Sequence, residues 1–153
     1  MLIFLLLVLL HYGLRPLLGW RTPVDFLVIA VLLASVRVRP GVGSLVGLAT
    51  GLLAGSFVPS ALGAAALAMT LMAAAASWLK AVFFADNVVL HGFFFFLGKW
   101  TFDAIFLLAG GGLGGGGLAT QLFLWSPLSA AVTALAGVLI LIVLRPVLEP
   151  QSA

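Results

Sequence analysis

Three ionisable residues share one apolar run. The segment VVLHGFFFFLGKWTFDAIFLL carries His91, Lys99 and Asp103. On a helix, spacings of eight and four residues set all three on one slowly drifting face. A charge held in hydrocarbon is costly unless it is paired, and such groups mark proton relays, ion paths or ligand sites. Lys99 and Asp103 are therefore expected to pair with each other or to face the bundle interior. Lysine before aspartate is the weaker i, i+4 order, which leaves room for a partner from another helix. The functional reading is a proton or ion relay, or a ligand site. The plainer reading is a structural ion pair beside a satisfied histidine.

Other reactive arrangements are not legible. The four acids and two histidines are spread over separate segments and chain ends. There are no carboxylates paired in sequence, no H-E-x-x-H and no G-x-S-x-G. With no cysteine, thiolate chemistry, disulfides and zinc thiolate sites are excluded. GGGLGGGG (110–117) is not a phosphate loop, because no strand precedes it and no G-K-[ST] closes it. No catalytic residue, cofactor or metal ligand is assigned, and an enzyme is not expected.

The elements that hold these residues follow from the solvent. Of 153 residues, 64% are hydrophobic and only 7% are charged, and the mean hydropathy is +1.34. Soluble domains carry about 25% charged residues. So few charges cannot cover a water-facing surface, so the solvent is mostly lipid. There each backbone polar group must be paired internally, which leaves helices or a closed barrel. Long apolar runs without alternating polarity exclude the barrel. The net charge of +3 does not point to nucleic acid, because the seven Lys and Arg are scattered at the ends of apolar runs.

An all-α polytopic membrane protein with six spans is expected, as one domain over 1–153. The helices fall at about 2–20, 22–36, 42–57, 61–80, 88–108 and 122–144. MLIFLLLVLLHYG lacks a basic leader and a small-residue cleavage site, so it reads as a retained first helix. Trp20 suits the aromatic belt and Arg15 a snorkelling position. In TPVDF, Thr22 caps the second helix, Pro23 sits in its first turn and Asp25 is the helix-start acid favoured by the dipole. Asp86 and Asn87 cap the fifth helix. Ser126 and Pro127 open the sixth, after a flexible glycine-rich loop. Six spans put both termini on one side, with Arg37, Arg39, Lys80 and Arg145, against Arg15 and Arg21 opposite. The positive-inside rule then places the termini in the cytoplasm.

GVGSLVGLATGLLAGSF repeats glycine at Gly43, Gly47, Gly51 and Gly55. Each costs roughly 0.8–1.0 kcal/mol relative to alanine in a water-exposed helix. Four residues turn a helix by about 400°, so the glycines form one ridge without side chains. In lipid, small residues let helix backbones approach closely. The ridge therefore packs against the alanine-rich fourth helix, LGAAALAMTLMAAAAS, or forms a docking groove for a partner's transmembrane helix.

The segment from Thr22 to Leu79 resembles the rod shape-determining protein MreD family. The matching features are TPVDFLVIAVLLA, the basic turn RVRPG, GLATGLLAG and Gly63 in PSALG. Asp103 in WTFDAIF matches an acid that the family often carries in its fifth helix. Where the family has the acid of G-x-x-x-G-x-x-x-D, this chain has Gly55. The resemblance implies a non-enzymatic subunit of the bacterial cell-elongation machinery in the inner membrane. It implies binding to MreC, alongside MreB, RodA and penicillin-binding protein 2, in directing lateral-wall peptidoglycan synthesis. It further implies a fold like the substrate-binding subunits of energy-coupling-factor transporters. That likeness supplies the second expectation, a small-molecule-binding transporter subunit, for which the sequence offers few convergent polar groups.

Overall fold

The computed structural model describes residues 2–18, 25–57, 59–80, 87–110 and 115–148. Among them no strand occurs. The helices are α1 (Leu2–Leu18), α2 (Phe26–Ser35), α3 (Pro40–Ser56), α4 (Leu62–Trp78), α5 (Val88–Gly110), α6 (Gly115–Thr120) and α7 (Ser126–Leu148). A 3₁₀ turn, Pro59–Ala61, leads into α4, and a π-turn, Gln121–Trp125, joins α6 to α7 without a break. Pro59–Trp78, Val88–Gly110 and Gln121–Val143 are each long and apolar enough to cross a membrane.

The short helix α2 lies at the centre and touches α1, α3, α4, α5 and α7. Its sequence, FLVIAVLLAS, is apolar on every side, as a helix buried all round must be. Leu27 to Leu33 are between 0% and 6% exposed. The surrounding helices turn leucine outward instead: Leu45 and Leu53 on α3, Leu67 and Leu71 on α4, Leu135 and Leu139 on α7 are all exposed. Apolar residues on the outside as well as the inside are what a lipid solvent requires.

The glycine ridge is used inside the bundle. A Cβ added at Gly47 would lie 2.7 Å from Ala73 Cβ, and one at Gly51 would lie 2.7 Å from Ala65 O and Ala66 Cα. At Gly55 it would meet the Leu62 backbone, and at Gly43 the Ser77 hydroxyl. All four glycines therefore face α4, and no groove remains along them for a partner helix. At the far end of this pair, Ser77 Oγ donates to the Ser35 carbonyl at 2.9 Å, or to its own helix at Ala73 O at 2.9 Å. That contact gathers the C-terminal ends of α2 and α4 and the start of α3, so Arg37, Arg39 and Lys80 share one end of the molecule.

Several boundaries differ from the sequence expectation. The second helix begins at Phe26 rather than residue 22. Asp25 is its N-cap residue, at φ −110° and ψ 85°, and its side chain makes no cap hydrogen bond. The cause is competition, because that carboxylate is engaged elsewhere, as described below. Asn87 does cap α5, its Oδ1 accepting from Val89 N–H at 3.0 Å.

The glycine-rich stretch is helical from Gly115 onward. Glycine's cost in a helix is mainly backbone entropy, and the need to pair every backbone group internally in hydrocarbon outweighs it. Ser126 is not a cap but lies inside a continuous helix, at φ −64° and ψ −43°. Pro127 explains the π-turn before it. Proline has no N–H and its ring crowds the carbonyl four residues back, here that of Phe123. The widened turn relieves this, and Ser126 N–H bonds Gln121 O instead of Leu122 O. The freed Leu122 carbonyl accepts from Trp100 Nε1 of α5 at 3.3 Å. Trp20, Arg21, Thr22, Pro23, Asp86 and residues 111–114 lie outside the described residues, as do the side chains of Arg15 and Arg145.

Candidate functional site

Four elements bring one polar cluster together in the apolar interior. On α5, Lys99 Nζ lies 2.5 Å from Asp103 Oδ1, so the i, i+4 pair read from the spacing forms. The room left by its unfavourable order is taken by Asp25, whose Oδ2 lies 3.4 Å from the same ammonium. Asp25 Oδ1 in turn lies 3.6 Å from Nδ1 of His11 on α1. From α7, Thr133 Oγ1 accepts the Asp25 backbone N–H at 3.3 Å, and the buried Ser126 hydroxyl lies on the side of the Asp103 carboxylate. Lys99 is 6% exposed and His11 7%. The ammonium also stands 5.0 Å from the centre of the Phe102 ring, a cation–π contact one turn along α5.

The cluster sits near the middle of α1, of α5 and of the apolar stretch Gln121–Val143. Eleven residues of α5 precede Lys99 and eleven follow it. That places Lys99 about 16 Å from either end of the helix. Thr133 is central in the apolar stretch Gln121–Val143, and His11 is central in α1. Helix α2, by contrast, meets the cluster with its first residue. Its ten residues rise about 15 Å, half of a hydrocarbon core of about 30 Å. Its positive N-terminal end therefore faces the two carboxylates, the favourable sense for a helix dipole.

The residues expected to share a site are thus divided. Lys99 and Asp103 are together, and Asp25, expected only to favour a helix start, joins them across 74 residues of sequence. His91 is two turns away, about 12 Å along the axis of α5. Its Nδ1 is 2.8 Å from the carbonyl oxygen of Asn87, within the first turn. The histidine of the cluster is His11. Its signal in the sequence was the shortness of the apolar run before it, LIFLLLVLL, which obliges a first span to include His11. The carboxylates, separate in sequence, are brought together by one lysine.

Within this cluster Asp25 Oδ1 is buried and has no hydrogen-bond partner among the described residues. Two carboxylates face one ammonium, with an imidazole completing the group. Such an arrangement can hold helices in register, accept a proton or receive a small cation. Among the described residues no group of three or more His, Cys, Asp or Glu is arranged to hold a metal ion. No protein-family model, no curated protein and no solved structure matches the chain.

Proposed function

We propose that the protein is a non-enzymatic membrane scaffold of the MreD type, which binds MreC and helps direct lateral-wall peptidoglycan synthesis with MreB, RodA and penicillin-binding protein 2. In this reading it crosses the bacterial inner membrane six times, with α2 as part of the second crossing, and has both termini in the cytoplasm. The observation that carries the reading is the unit formed by α2, α3 and α4. This is the stretch of chain with the MreD-like pattern, and its glycines are the residues on which α3 and α4 close, Gly47 against Ala73 and Gly51 against Ala65 and Ala66. The shared end occupied by Arg37, Arg39 and Lys80 favours a cytoplasmic placement of that end. Because the glycine ridge is filled by α4, MreC would use an outward leucine face, such as Leu45 and Leu53 of α3. The test is copurification of the tagged protein with MreC of the same cell from mild detergent. Recovery of MreC, and its loss when Leu45 and Leu53 are changed to Ala, supports the reading. Failure to recover MreC counts against it.

A second reading, a small-molecule-binding subunit of an energy-coupling-factor type transporter, is favoured by one observation. Asp25 Oδ1 is a buried acceptor without a donor among the described residues, as a cationic ligand would require. Copurification with an ATPase in place of MreC would select it.

A further inference from the structure

We infer that the cluster is a proton-binding site at mid-depth in the bundle, and that the bound proton resides on the imidazole of His11. The argument is one of charge. Facing one another are Asp25 at the start of α2, Lys99 and Asp103 on α5, and His11 on α1. The α7 contributors, Thr133 and Ser126, are neutral hydroxyls. Tyr12, edge-on to His11 at 5.2 Å, is neutral too. Neither α3 nor α4 contains a titratable residue. Among the described residues, and with a neutral histidine, these groups carry one surplus negative charge, far from water. An uncompensated charge at this depth is strongly unfavourable, and a matched set of two anions and two cations is not.

Geometry identifies the group that supplies the second cation. His11 Nδ1 is 3.6 Å from Asp25 Oδ1, the buried atom that lacks a hydrogen-bond partner among the described residues. An imidazolium has a donor on each ring nitrogen, so protonation gives that oxygen a charge-assisted partner after a shift of a few tenths of an ångström. Uptake forms one N–H bond on the ring and breaks one O–H bond of a hydronium ion, leaving water. Release reverses the step and leaves α1 joined to the cluster by a neutral ring. The site thus couples proton occupancy to the attachment of α1. This conclusion does not depend on which partner the scaffold binds.

The test is nitrogen-15 NMR of the full chain in lipid nanodiscs, with label in the histidine rings only. His91→Gln assigns the two signals. Measurement at about pH 7.5 is decisive, because an ordinary imidazole is mostly neutral there. His11 is expected to show protons on both nitrogens in the unmodified chain. Asp25→Asn removes the surplus negative charge, and His11 should then lose its second N–H. Asp103→Asn should do the same while leaving the Asp25 contact in place, so the result does not hang on one variant folding. A neutral His11 in the unmodified protein overturns the inference. A doubly protonated His11 that is unaffected by both substitutions overturns it as well.

Discussion

Lys99 on α5 and Asp25 at the start of α2 meet at 3.4 Å, 74 residues apart in the chain. Asp103 lies on the other side of the same ammonium. One buried lysine therefore joins the middle of a long helix to the end of a short one. It fixes how far α2 reaches into the bundle, and with His11 it draws in α1.

Close approach of α3 and α4 makes alanine itself too large on the ridge. A Cβ at Gly51 would lie 2.7 Å from backbone atoms of α4, which cannot rotate away. Gly51→Ala should lower stability by about 1–3 kcal/mol, as over-packing does, and Gly51→Leu by more. Gly63, near the start of α4, has nothing within 4 Å of an added Cβ. Gly63→Ala should be neutral or stabilise by up to about 1 kcal/mol through helix propensity. Unfolding in mixed micelles with increasing dodecyl sulfate checks both. Equal effects at the two positions would remove the ridge from the account.

At the end of the same helix pair, an added Cβ at Gly43 meets the Ser77 hydroxyl. Ser77→Ala alone should cost about 1 kcal/mol through loss of the bond to the Ser35 carbonyl. Gly43→Ala alone should cost more. Combined, the two changes should cost less than their sum, since removing the hydroxyl makes room for the methyl group. Additivity within about 0.5 kcal/mol would show that the two residues do not meet.

His91 and His11 should behave differently. The ring of His91 bonds a carbonyl in the first turn of its own helix, so His91→Gln should change stability by no more than about 0.5 kcal/mol. Replacement of His11, buried and beside Asp25, should cost about 1–3 kcal/mol. The same micellar unfolding curves read both. A larger effect at His91 would mean that the polar face of α5 extends further than the structure places it.

Sequence periodicity was enough for whatever depends on neighbours within one helix. The glycine ridge and the Lys99–Asp103 pair follow from spacings of four, and the all-helical class from the scarcity of charge and the long apolar runs. The fifth helix, expected over 88–108, runs Val88–Gly110, and its cap by Asn87 follows from local chemistry. Contacts between helices were beyond such reasoning. Nothing near Asp25 in sequence indicates that its carboxylate serves a lysine on α5 rather than its own helix terminus. His91 has the right period to join Lys99 but sits two turns too far along the axis, while His11 reaches the cluster from another helix. The π-turn ahead of Pro127 was hidden for a different reason. Ser-Pro is a good helix start in water, and only a helix already under way at Gly115 makes it an interior proline.

The central claim is that Lys99 and Asp25 are bonded in the folded bundle. A double-mutant cycle with Asp25→Asn and Lys99→Met in the same unfolding assay tests it directly. Lys99→Met leaves two carboxylates in the interior without their ammonium and should cost about 3 kcal/mol, and Asp25→Asn, whose lost charge His11 offsets by giving up its proton, should cost less. The double variant should cost less than the sum of the two by at least 1 kcal/mol, on the order expected for a direct pair. Additivity within about 0.5 kcal/mol would contradict the account, because it would mean that the two residues face different partners.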